Sequence, residues 1–129
     1  NTFERKMNQS EKSLYNPGLH KLLTLQVKNE TLLTSLEKFQ EFSKNLINDF
    51  NLEIVGISHH SFDSSGFTMA FCLKESHICV HTWPEFEQLT LDIYLCNYLK
   101  DNTQKVEALS TAYKHFFDAI VLNETNVYR

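Results

Sequence analysis

The chain has 129 residues, 42% of them hydrophobic, and a net charge of −4, which supports one ordinary core but not two. No basic run exceeds a pair, so the electrostatic footprint of a nucleic-acid binder is absent, and no stretch approaches the roughly 18 to 20 apolar residues that span a bilayer. The cysteines Cys72, Cys79 and Cys96 form no CxxC pair, which argues against a disulfide framework and fits a reducing compartment.

Residues 1–16 mix both charges without a sustained apolar period and carry no signal-peptide core, so they read as a polar flexible lead-in to a cytoplasmic protein. Residues 17–129 form the expected single domain. Pro17-Gly18 punctuates the start, and Leu19 to Val27 reads as a first strand with Leu23, Leu25 and Val27 on one face. Asn29 is placed to cap a long amphipathic helix in which Leu32, Leu36, Phe39, Leu46 and Phe50 share a face. Glu53 to Ser61 reads as a strand, with Gly56 a bulge or close approach. Asp63-Ser64-Ser65-Gly66 is a turn by composition.

Phe67 to Leu73 reads as a buried strand, rich in aromatic and aliphatic residues. A polar corner at Lys74-Glu75 follows, with Ser76 at or beside its tip, then an outgoing strand from His77 to Thr82 that Pro84 ends. Thr90 to Cys96 is the next strand. Asp101-Asn102-Thr103 supplies caps for a second helix presenting Val106, Leu109, Tyr113 and Phe116, and Ala119 to Leu122 could close the sheet.

This order predicts an α+β fold, a two-layer sandwich of a mostly antiparallel sheet with two helices on one face. The other face would then be left open. With ten Phe, five Tyr and one Trp in the chain, a sheet carrying Trp83, Tyr94 and several Phe would expose a large apolar surface. Two sheets packing against each other in a homodimer would cover it.

Reactive side chains concentrate between residues 75 and 96. Singly they are unremarkable: Ser76 is an ordinary turn residue, His81 a hydrogen-bonded strand histidine, Cys96 a small buried hydrophobe. The spacing of Cys72, Cys79 and His81 matches no common zinc finger, so no metal is expected. Cys72, Cys79, His59 and His60 read as structural, and His77 as support for the turn.

Jointly, Glu75-Ser76-His77, His81-Thr82-Trp83-Pro84-Glu85 and Asp92-Ile93-Tyr94-Leu95-Cys96 resemble the bacterial and archaeal S-adenosylmethionine decarboxylase proenzyme family, whose signature is ESH, three residues, HTWPE, then D-x-(F/Y)-x-C. The resemblance is strong from Gly66 to Cys96. It implies self-cleavage between Glu75 and Ser76, with the serine converted to a covalent pyruvoyl cofactor. That group would form a Schiff base with the amine of S-adenosylmethionine and draw electrons as carbon dioxide leaves, supplying an aminopropyl donor for polyamine synthesis.

By the same resemblance Thr68, where the family usually has serine, would help stabilise the oxyanion. His81 would take a proton during processing, and Cys96 would return one during turnover. Phe62 and Trp83 would form the substrate pocket, with Glu85 holding ribose hydroxyls. The chain departs from the family pattern at Leu19, Ser64, Asn97 and Asn126-Val127, positions that bear on substrate more than on self-cleavage. The alternatives are a relative that decarboxylates ornithine or arginine, and a non-processing regulatory member.

Overall fold

A computed structural model describes residues 16–63, 65–98 and 100–129. The expected lead-in falls outside these residues apart from Asn16, and so does Ser64. The elements in order are β1 (Leu19–Gln26), α1 (Glu30–Thr34), α2 (Leu36–Asp49), β2 (Ile54–Ser61), β3 (Phe67–Leu73), β4 (His77–Trp83), a 3₁₀ turn (Pro84–Phe86), β5 (Gln88–Tyr94), α3 (Thr103–Phe117) and β6 (Ile120–Tyr128). The strands form one sheet in the order β2-β3-β4-β5-β1-β6, with every neighbouring pair antiparallel.

Period-two alternation sorts the side chains between two faces. Leu23 and Leu25 of β1, Phe67, Met69 and Phe71 of β3, Ile78 and Val80 of β4, and Leu89, Leu91 and Ile93 of β5 are buried under the helices. At the centre of this layer lies Phe39 of α2. Its ring centroid lies 5.7 Å from that of Phe67, 5.6 Å from that of Tyr113 and 6.0 Å from that of Phe117. The Tyr113 hydroxyl donates to Ser43 Oγ at 2.8 Å, which satisfies the polar atom of a ring buried between two helices.

The expected apolar open face is corrected here, because Phe67 and Phe71 point into the core. The uncovered face carries Thr68, Ala70 and Cys72 of β3, paired with His81, Cys79 and His77 of β4. Thr90, Asp92 and Tyr94 of β5, in that order, continue those rows. It is a polar surface with Trp83 and Tyr94 on it.

Three element boundaries also differ. The long helix from Asn29 breaks at Ser35, whose extended backbone and side chain, accepting from Lys38 N–H at 3.2 Å, start α2 afresh; a serine after threonine favours such a cap over helix continuation. β5 begins and ends two residues earlier than expected, so Cys96 lies just beyond the strand. β6 runs from Ile120 to Tyr128 rather than stopping at Leu122. It is an exposed edge strand whose polar residues give no alternation to read.

That edge is anchored from beneath by Lys21, 1% exposed, whose ammonium meets the carboxylates of Glu107 on α3, at 2.9 Å, and Glu124 on β6. Burial works against the Lys21 charge, but the two carboxylates outweigh it and hold the ammonium above its usual pKa. Hydrogen bonds from Lys114 and then Lys21 hold the Glu124 carboxyl below its ordinary value of 4.5.

Phe39→Ala should destabilise the fold by about 3–5 kcal/mol through loss of ring contacts and the cavity left behind, measured by urea unfolding. The stabilisation from ionised Glu124 is present above its unfolded pKa and is lost as pH falls through its lower folded pKa. Glu124→Gln should therefore make the urea midpoint less sensitive to pH on the acid side. An unchanged acid slope would contradict the ion-pair role.

Candidate functional site

The predicted site residues lie at two ends of the β3–β4 hairpin. At its closed end, Leu73 N–H donates to Ser76 O at 2.9 Å, a tight reversal that fixes residue 76 at the mouth of β4. The Ser76 hydroxyl accepts from Cys96 N–H at 3.1 Å. The Cys96 thiol approaches Glu75 Oε2 at 3.7 Å. Ser76, Glu75 and Cys96 thus form one cluster, with the Glu75–Ser76 peptide inside it.

The segment carrying Cys96 is stitched in place. Asn97, 5% exposed, donates to Pro17 O at 2.9 Å and accepts from Asn102 N–H at 2.8 Å, while Asn102 Nδ2 donates to Cys96 O at 2.8 Å. Gly18 packs directly beneath: a Cβ there would sit 2.4 Å from Leu95 O, closer than any side chain permits. Asn97, which departs from the family pattern, therefore holds the thiol's backbone through its own side chain.

At the open end, Thr68 and His81 face each other across the register. The Thr68 hydroxyl is hydrogen-bonded to His81 Nδ1 and also approaches Val80 O at 3.3 Å. The Trp83 ring lies 6.2 Å from that of His81, and Trp83, Phe62 and Phe86 are exposed. Glu85 sits exposed in the 3₁₀ turn. Thr82 has a structural part: its hydroxyl accepts from Phe67 N–H at 2.9 Å and donates to Leu33 O at 2.7 Å, tying β4 to α1.

The two clusters do not meet within one chain. His77 and His81 are four residues apart on a single strand, about 13 Å at the rise of a β-strand. No side chain of His81 spans that distance to residue 76.

Around residue 77 the open face carries groups that sequence reasoning missed or left structural. His20, Tyr94 and His77 stand side by side across β1, β5 and β4, and Asp92 lies opposite Cys79. Their signal was the strand period, which puts His20, Asp92, Tyr94, His77 and Cys79 on one face. Burial, then Asp92 and Cys72, push the Cys79 thiol above its usual pKa. A cavity of about 310 Å³ lined by Gly56, Ser58, Ala70, Cys72 and His77 leaves room for a small molecule beside this row. Among the described residues no group of three or more His, Cys, Asp or Glu is placed to hold a metal ion.

The family model for S-adenosylmethionine decarboxylase matches residues 19–120. The chain belongs to this family. Among its curated relatives, an S-adenosylmethionine decarboxylase proenzyme of Clostridium botulinum is 34% identical over 102 residues, covering 70% of this chain and 88% of the relative. A proenzyme of the same description from Thermodesulfovibrio yellowstonii is 29% identical over 83 residues, covering 64% and 62%. The adenosylmethionine decarboxylase structure from Aquifex aeolicus VF5 superposes with a TM-score of 0.72 at 23% identity, covering 89% of this chain and 90% of that one, a likeness in fold. The span matched to the S-adenosylmethionine decarboxylase family takes in both clusters and stops where β6 begins.

Thiolate character governs alkylation. The Cys79 thiol should therefore label slowly with iodoacetamide at neutral pH, and its labelling rate should keep rising into the alkaline range. Peptide mapping of time courses at several pH values checks this, and a Cys79 rate that levels off at the ordinary thiol pKa would contradict the raised value.

Proposed function

We propose that this protein is a self-processing, pyruvoyl-dependent decarboxylase of S-adenosylmethionine, supplying an aminopropyl donor for polyamine synthesis. The observation that carries the reading is the Ser76 hydroxyl held by Cys96 N–H at 3.1 Å, in a chain of this family. In processing, Ser76 Oγ attacks the Glu75 carbonyl carbon, the Glu75–Ser76 amide becomes an ester, and elimination releases the Glu75 carboxylate. Water then replaces nitrogen at residue 76, leaving the ketone and ammonia. A tight turn that fixes residue 76 favours the attack.

The surroundings of Ser76 fit the group that would arise there: the Cys96 N–H that meets the hydroxyl is a donor suited to an oxygen, and the same residue carries a thiol that can act as a proton source. A pyruvoyl group at residue 76 would supply a carbonyl able to take up the substrate amine and withdraw electrons as carbon dioxide leaves. Cys96 returns the proton. Thr68 offers its hydroxyl to the oxyanion formed in processing, and His81, oriented by Thr68, takes the proton whose loss opens the ester. Phe62 and Trp83 offer faces for a flat base, and the exposed Glu85 carboxylate can accept from two ribose hydroxyls. Those three side chains favour a nucleoside substrate over ornithine or arginine.

The separation along β4 supports a homodimer for a reason other than apolar surface. If His81 and Thr68 serve residue 76, they serve it across two chains, with the open faces of two sheets opposed. A two-fold axis would complete two sites at once.

Complementation tests the function and the arrangement together. His81→Ala and Ser76→Ala chains should each stay intact when expressed alone. Co-expressed, the His81→Ala chain should be cut between Glu75 and Ser76, because its partner's His81 serves it, and carbon dioxide should be released from labelled S-adenosylmethionine. A His81→Ala chain that stays whole in the mixture would rule out service across the dimer.

A further inference from the structure

Beside residue 76 stands a group of side chains to which the proposed reaction assigns no part. The rings of His20, Tyr94 and His77 form a triangle. His20 meets His77 edge-on at 5.3 Å and 85°, His20 lies 5.5 Å from Tyr94, and His77 lies 5.7 Å from Tyr94. His20 is 9% exposed and its buried Nε2 has no hydrogen-bond partner. Asp92 Oδ2, at 3.9 Å, is beyond hydrogen-bond reach. The Arg129 guanidinium lies 5.9 Å over the Tyr94 ring, and Tyr94 donates to Arg129 O at 3.0 Å.

A buried polar atom left unpaired costs stability, and the ring that carries it lies against His77, the residue joined to Ser76. We propose that His20 is a positioning residue: in its neutral form it packs against His77, the residue whose amide carries the residue-76 acyl group, and on protonation it releases it. The inference rests on the reading of Ser76 as the processed residue.

The groups facing His20 are Asp92 and Tyr94 of β5, His77 of β4 and Arg129 just beyond β6, while Val127, opposite it on β6, does not titrate. The helices lie on the other side of the sheet. Burial lowers the His20 pKa from 6.5, His77 and Arg129 lower it further, and Asp92 opposes them without prevailing. His20 is therefore neutral at pH 7. Its protonation puts a cation beside His77 and Arg129 and draws Nε2 towards Asp92, away from the edge-on contact.

The test uses the processed protein with two readouts, the pH dependence of kcat for decarboxylation and the NMR titration of ring-labelled histidines. The wild-type kcat should fall below the His20 pKa, about tenfold per unit of pH, and the His77 ring signals should shift as His20 protonates. His20→Phe, which keeps an aromatic ring without a titrating nitrogen, should lose that acid limb. Asp92→Asn, which removes the one group raising the His20 pKa, should move the limb to lower pH and remains a test if His20→Phe fails to fold. An acid limb unchanged in Asp92→Asn, or His77 signals indifferent to His20, would overturn the proposal. A wild-type chain left uncut at Ser76 would contradict the proposed function instead. In that chain the NMR titration still decides the coupling: linked His20 and His77 shifts support it and independent ones overturn it.

Discussion

Across the β3–β4 hairpin, Thr68 pairs with His81 and Cys72 with His77, and this register is the constraint on which the site depends. A slip of one residue would turn every reactive side chain into the core and every core side chain out. Phe67, Met69 and Phe71 on one strand, with Ile78 and Val80 on the other, prevent it, because all of them are buried under the helices. The hydrophobic layer thus fixes which side chains face outward, and the strand rise fixes how far apart they stand.

The closed end of the hairpin gains its rigidity from other parts of the chain. Gly18 lets β1 approach Leu95, Asn97 ties the segment after β5 to Pro17, and Cys96 N–H reaches back to Ser76. The edge strand β6 contributes through Arg129, whose backbone exchanges two hydrogen bonds with Gly18. The segment that meets the turn is thus itself tied to the start of β1 and, through Gly18, to the end of β6, a held arrangement of the kind intramolecular attack at a peptide carbonyl would need.

Much of this was legible in the sequence because it follows from local rules. The alternation in Phe67 to Leu73 and the apolar period from Leu36 to Leu46 announced β3 and the face of α2, and the ESH and HTWPE spacing announced the family. What escaped reading was set by tertiary context. Ser35 favours a cap, but the apolar period runs straight through it, so the break between the two helices was hidden even though Leu33 and Leu36 on either side are both buried. The polar residues of β6 carry no strand signal, since their pairing with β1 and the Lys21 ion pairs hold them. His20, Tyr94 and His77 came together across three strands, an order no local pattern encodes. Motif spacing likewise placed His81 five residues from Ser76 in sequence while hiding that a strand holds them apart.

The central claim is that the chain converts Ser76 into its own carbonyl group. Mass spectrometry of freshly purified, unmutated protein tests it most directly. The account predicts two pieces, one ending at Glu75 and one whose first residue, at position 76, is a blocked ketone that reacts with amines. A single uncut chain with no amine-reactive carbonyl would contradict it.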